Sequence, residues 1–218
     1  MQDITALAEG LARFHEAGRH FPERFDKLGL RGETDPADML ERSRILAQEC
    51  PGCAQAVLPY QEWLAWAGGV LPDSAFEALP ATVAHGDIQP ANIIMGQGHV
   101  AAFVDLDWCA WRPRIYDLGF ALLFCCAAHD APIDGSDIWS LTQPPRLEKR
   151  VLQAFLRRYE EHAFPLSGAE REALPAQVAL RWCHTRIMGA FKVPIEKRAA
   201  FLSRPPHDLR QLISDAFA

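Results

Sequence analysis

Apolar residues recur at steps of three and four through Ile4, Leu7, Leu11 and Phe14. That spacing puts them on one face of an amphipathic helix over residues 3–17. Gly18 follows where a C-capping glycine belongs. A loop rich in Pro, Gly and charge runs to residue 34. Asp35 then reads as an N-cap, with Pro36 at the first helical position and Asp38 in the first turn. That helix is predicted to reach about Cys50, and another to cover 54–67 and stop at Gly68-Gly69.

The middle of the chain changes period. Thr82-Val83-Ala84 reads as a short strand. Ile93-Ile94-Met95, the Gly96-Gln97-Gly98 turn and residues 100–104 read as a β-hairpin. Helical patterning then returns. Asp117 is placed to cap a buried helix over 118–129, and residues 146–162 make another. Ser167 and Glu170 form a capping-box pattern before a long C-terminal helix that Pro175 threatens to break early. Pro205-Pro206 precedes a last short helix. The fold class is mostly α with a small β-hairpin insertion (α+β), as a single domain over 1–218.

Composition narrows the class. The chain has 218 residues, 49% hydrophobic and 23% charged. That is an ordinary globular mixture, long enough to bury a core without staples. Lys and Arg total 22 against 28 Asp and Glu, a net charge of −6. No basic surplus points to nucleic acid. The longest uncharged apolar run, 118–128, is too short to span a bilayer, and the first residues lack a signal-peptide pattern. Six cysteines at no scaffold spacing suggest reduced thiols and a cytoplasmic protein. Cys50-Pro-Gly-Cys53 is a lone C-x-x-C with no second pair, which does not make a zinc site.

The chemistry is concentrated between residues 82 and 118. His85-Gly86-Asp87-Ile88-Gln89-Pro90-Ala91-Asn92 leads into the hairpin, followed by Val104-Asp105-Leu106-Asp107 and Tyr116-Asp117-Leu118. The hairpin is expected to fold Asp105 back beside the 87–92 loop. Two carboxylates and an amide then meet with no local base to pair them. Such oxygen groups are proton acceptors or ligands for Mg²⁺ rather than zinc. A single Asp after a strand is usually a cap or turn former; the three residues together carry the functional reading. Asp107 has two readings, a substrate or second metal contact from the strand face of Asp105, or a solvated strand end. Trp108 and Trp111 have two readings, the wall of a substrate pocket or packing beside the hairpin, and packing is the expectation. Arg181, His184 and Arg186 have two readings, a substrate-recognising helix face or a salt-bridged helix surface, and the second is the expectation. Arg146, Lys149, Arg150, Arg157 and Arg158 read as a solvated helix face.

H-G-D-x-x-x-x-N followed by V-D and Y-D-L resembles the aminoglycoside phosphotransferase and choline kinase family, which shares the protein-kinase fold. The protein-kinase loop reads H-R-D-x-x-x-x-N, and Gly86 in place of Arg favours the small-molecule branch. Residues 11–18 resemble the helix that opens the C-terminal lobe in this family, and homoserine-kinase-like members are the most similar. The resemblance implies that Asp87 accepts the proton of a substrate hydroxyl, and that Asn92 and Asp105 hold Mg²⁺ on ATP. It further implies that His85 and Asp117 brace the loop.

Nothing before residue 82 reads as the sheet-rich N-terminal lobe of such kinases, and Lys27 is the only lysine before residue 149. The resemblance therefore covers a C-terminal lobe, with an exposed seam where the other lobe would pack. The expected function is ATP-dependent phosphorylation of a small-molecule hydroxyl. The chain is read as partial, with reduced or no activity alone, as completed by a partner lobe or self-association through the seam, or as a non-catalytic binding module. A protein kinase is disfavoured by Gly86 and by the short 105–116 segment.

Overall fold

The computed structural model describes residues 2–134 and 136–203. In chain order these form α1 (Gln2–Arg19), α2 (Pro36–Glu49), α3 (Cys53–Ala56), α4 (Leu58–Val70) and α5 (Asp73–Glu77). Then come β1 (Ala81–Ala84), β2 (Ile93–Met95), β3 (Val100–Phe103) and β4 (Ala110–Pro113). The order ends with α6 (Ile115–Ala121), α7 (Lys149–Glu160), α8 (Gly168–Phe191) and α9 (Ile195–Leu202). The mixed, mostly helical class is as read from sequence. The short helix assigned after Pro205-Pro206 lies outside the described residues.

Two antiparallel ribbons, β1–β4 and β2–β3, make up the sheet structure among the described residues. The hairpin is as read, with Ile93 opposite Phe103. β4 was not legible, because Ala110-Trp-Arg-Pro has neither alternation nor β-branched residues. It forms because β1 lies opposite, with Ala84 against Ala110 and Ala81 against Pro113.

The core lies between helices. α4 and α6 pack on α8, and α1 packs on α7 and β1. Leu7 and Leu11 of α1 are buried, each contributing about 1.5–3 kcal/mol on transfer from water. Asp35 caps α2 as expected, accepting from Ala37 and Asp38 N–H groups at 2.8 and 3.3 Å.

Several boundaries differ from expectation. Gly18 does not cap α1, which continues to Arg19. The helix passes too close to β1 for a side chain there: a Cβ at 18 would lie 2.6 Å from Thr82 Oγ1. The predicted 54–67 helix is two helices, and α4 runs through Gly68-Gly69 to Val70. The 118–129 helix starts earlier, at Ile115, and its second half, Leu122–Cys126, is π-helical. The 146–162 helix is confined to 149–160. Pro175 sits inside α8 without ending it. Burial of α8 between α4 and α6 outweighs the ~3 kcal/mol cost of an interior proline. The Ser167–Glu170 capping box is present.

Cys50 and Cys53 are bonded to each other, which corrects the reading of six reduced thiols. Gly52, at φ +81°, turns the chain so that their Cα atoms lie 5.3 Å apart. Cys109, Cys125, Cys126 and Cys183 are free. No helix among the described residues is long and apolar enough to cross a membrane.

Candidate active site

The 85–92 loop leaves β1 and is held from below by one carboxylate. Asp117, in the first turn of α6, is fully buried. Its Oδ2 accepts from the His85 N–H at 2.6 Å and its Oδ1 from the Gly86 N–H at 2.8 Å. The expected helix-capping role is thereby corrected: Asp117 caps the loop, and α6 starts without a side-chain cap. Bracing of the loop by Asp117 is what the geometry shows. His15 Nε2 lies 3.0 Å from Oδ2, and His15 Nδ1 lies 2.7 Å from the Tyr159 hydroxyl of α7. Burial by itself pushes the Asp117 carboxyl up. The His15 ring, through its hydrogen bond and charge, and the two loop N–H groups more than offset this and hold it below the usual range.

His85 supplies the second brace. Its Nδ1 accepts from the Asp87 N–H at 3.2 Å, so its proton is on Nε2, which donates to Val104 O at 3.0 Å. The ring ties the loop to the far end of the hairpin. Gly86 sits at φ +89°, and a Cβ there would collide with the Trp108 carbonyl oxygen. The sequence reading that Gly86 marks a departure from H-R-D thus has a steric basis.

Asp87 Oδ2 accepts from Gln89 Nε2 and Asn92 Nδ2, each at 2.8 Å. Asn92 Nδ2 also donates to the Asp87 carbonyl at 3.0 Å. The amide nitrogen is therefore spent on Asp87, and Asn92 Oδ1 remains an acceptor. Val104 N–H donates to Asn92 O at 3.0 Å. Asp105, one residue on, is thus returned to the mouth of the 87–92 loop, as the hairpin predicted. It is exposed and left-handed (φ +62°, ψ +61°), a conformation that costs a non-glycine residue about 1–2 kcal/mol. Its carboxylate caps no N–H there.

Asp107 lies in the turn Leu106–Trp108 and not on a strand, so it does not share a strand face with Asp105. Its carbonyl accepts from Lys27 Nζ, which also lies 4.7 Å over the Trp108 ring. A base does reach the edge of this loop, contrary to the sequence reading. Trp111 packs, with Arg24 over it. Trp108 instead lines a cavity of about 300 Å³ together with Asp87, Gln89, Glu33, Phe120 and Arg181.

The α8 basic residues are the largest correction. Arg181 and Arg186 are buried, not on a surface. Arg186 reaches Tyr60 Oη, Leu141 O and Phe201 O. Arg181 pairs with Glu33 at 3.1 Å. The 146–158 basic group is as expected: Arg158 pairs with Glu9 and Glu161 at the surface, and Arg146 with Asp130. Sequence reasoning missed Glu33 and the role of His15. His15 lies four residues after Leu11, on the apolar stripe, and a titratable group there was the available signal. Glu33 had none, being a charged residue in a charged loop.

A model of the phosphotransferase enzyme family, APH, matches residues 2–165. The chain belongs to this family. Three homoserine kinases are similar to it at low identity. That of Bradyrhizobium sp. (strain ORS 278) is 28% identical over 203 residues, covering 87% of this chain and 53% of that protein. That of Brucella anthropi is 27% identical over 202 residues, covering 89% and 53%. That of Neisseria meningitidis serogroup B is 26% identical over 146 residues, covering 66% and 42%. The chain spans about half the length of the curated relatives it matches.

Proposed function

We propose that this phosphotransferase-family chain carries the acceptor and metal groups of an ATP-dependent kinase acting on a small-molecule hydroxyl. The observation that carries the reading is Asp87. It is fixed by Gln89, Asn92 and the His85–Asp117 brace, and it lines a cavity of about 300 Å³. In this role Asp87 accepts the proton of the acceptor hydroxyl as the oxygen attacks phosphorus.

The remaining donors fit a hard divalent cation. Among the described residues, Asn92 Oδ1 and the Asp105 carboxylate are oxygen acceptors without protein donors, at adjoining ends of the loop and the hairpin. Mg²⁺ takes oxygen ligands and keeps several waters. When bound with nucleotide it neutralises phosphate charge. Asp107 is assigned a supporting position at the rim. The left-handed backbone of Asp105 supports the assignment, since such strain concentrates at working sites. The reading takes this chain as one lobe of the kinase-like fold, with the cover over the nucleotide supplied by residues outside it.

Because the relatives are homoserine kinases, L-homoserine is the first acceptor to assay. Phosphate transfer from ATP is expected, with Asp87→Asn lowering turnover by about 10²–10⁴-fold. Full turnover in Asp87→Asn would overturn the assignment. Absence of transfer to any hydroxyl acceptor, with nucleotide still bound, would favour a binding module.

A further inference from the structure

The cavity lined by Asp87 is closed on its α8 side by Arg181. This side chain is 1% exposed. Its guanidinium carbon lies 3.5 Å from the centre of the Phe120 ring and 4.8 Å from that of Tyr116. Nη1 donates to Glu33 Oε2 at 3.1 Å. Nε and Nη2 are buried and have no hydrogen-bond partner among the described residues. A buried donor left unmade costs about 1–3 kcal/mol, more on a charged group. Arg186, just over one turn along the same helix, shows the contrast. It is as deeply buried, yet its Nε, Nη1 and Nη2 all meet oxygens. Arg186 serves the fold; Arg181 keeps its side edge without a protein acceptor.

That edge has a chemical meaning. Nε and Nη2 of a guanidinium present two parallel N–H groups, the geometry that grips a carboxylate at both oxygens. Glu33, beside it, is an acceptor suited to an ammonium group. We propose that Arg181 and Glu33 recognise the head group of an α-amino acid, with the carboxylate on Arg181 Nε and Nη2, the ammonium on Glu33, and the side-chain hydroxyl toward Asp87. This inference rests on the phosphotransferase reading for its acceptor site, and it names the class of acceptor. α8 lies beyond the residues 2–165 matched by the family model, and the assignment is argued from the contacts of Arg181 and Glu33.

The charge around the cavity agrees. Burial first, then Arg181, Lys192 and Arg42, push the His184 imidazole down to about 3, although Glu33 Oε1 lies 3.7 Å from its Nε2. With His184 neutral, the cavity sets the cations Arg181 and Lys192 against the carboxylates Glu33 and Asp87. A zwitterionic head group matches that pairing of opposite charges.

The test is calorimetric titration of the full chain, without nucleotide, so that transfer does not enter the readout. The probes are L-homoserine, 3-amino-1-propanol (the same molecule without its carboxylate) and N-acetyl-L-homoserine. L-homoserine is expected to bind, and each analogue at least tenfold more weakly. Arg181→Gln should bring L-homoserine down to the level of the amino alcohol. Glu33→Gln should erase the preference over the N-acetyl compound. Glu33 is 24% exposed, so that variant decides if Arg181→Gln does not fold. Equal binding of L-homoserine and 3-amino-1-propanol, or no saturable binding of L-homoserine, L-serine or L-threonine, overturns the proposal. Amino-acid binding with this pattern but no transfer would overturn the kinase reading and leave the subsite. Transfer to an uncharged alcohol without this pattern would do the reverse.

Discussion

Asp117 and His184 show how single buried groups set the response to acid. The Asp117 carboxyl is held below its ordinary range. Its contribution is complete above that range and is lost as pH falls through it. His184 acts over a higher window. Its folded-state value, about 3, lies below the ordinary 6.5, so the unfolded chain takes up the proton first and stability drops as pH falls from about 6.5. The slope is at most about 1.4 kcal/mol per pH unit. His129, half buried, is shifted the same way. Urea unfolding between pH 7 and 4.5 should therefore show falling stability, and His184→Asn should flatten most of that slope. An unchanged slope in the variant would mean that His184 is not held neutral. This behaviour was not legible in sequence, since His184 and Arg181 looked like a helix surface.

At the scale of elements, close approach accounts for what propensity cannot. Gly18 is a poor helix former inside α1, and Ala would ordinarily gain about 1 kcal/mol there. Thr82 Oγ1 and the Val83 backbone occupy the space a Cβ would take. Gly18→Ala is therefore expected to destabilise by about 1–3 kcal/mol, through displacement of β1 from α1. Gly69, in α4, has nothing within 4 Å of a built Cβ, and Gly69→Ala should stabilise by up to about 1 kcal/mol. Thermal unfolding of the two variants checks the pair; the same sign for both would refute the argument. A second element-scale device is the clamp between α6 and α8. Arg114, just before α6, binds both oxygens of the capping-box Glu170 at 2.6 and 3.0 Å. It fixes the helix that carries Asp117 against the one that carries Arg181.

For the whole molecule, the question is whether this chain binds nucleotide by itself. A ligand present at a hundred times its Kd stabilises by about 2.7 kcal/mol. A Mg²⁺-dependent rise in unfolding temperature with ATP is expected, and Asp105→Asn should abolish it. A rise that persists without Mg²⁺ or in the variant would place the metal elsewhere. The hairpin side of the molecule presents Ile94, Met95, Val104 and Leu106 to solvent.

The sequence by itself determined the local grammar: the α1 stripe, the Asp35 and Ser167 caps, the loop that carries Asp87 and Asn92, and the hairpin that leads to Asp105. Each rests on neighbours within a few residues, where period, turn chemistry and spacing are sufficient. Tertiary structure decided the rest. β4 exists only because β1 lies opposite it, and α8 survives Pro175 because it is buried. Asp117 serves the loop rather than its own helix because β1 delivers two unpaired N–H groups to it. The acceptor wall joins Glu33 to Arg181 across 148 residues of chain, and no local pattern records a partner at that distance.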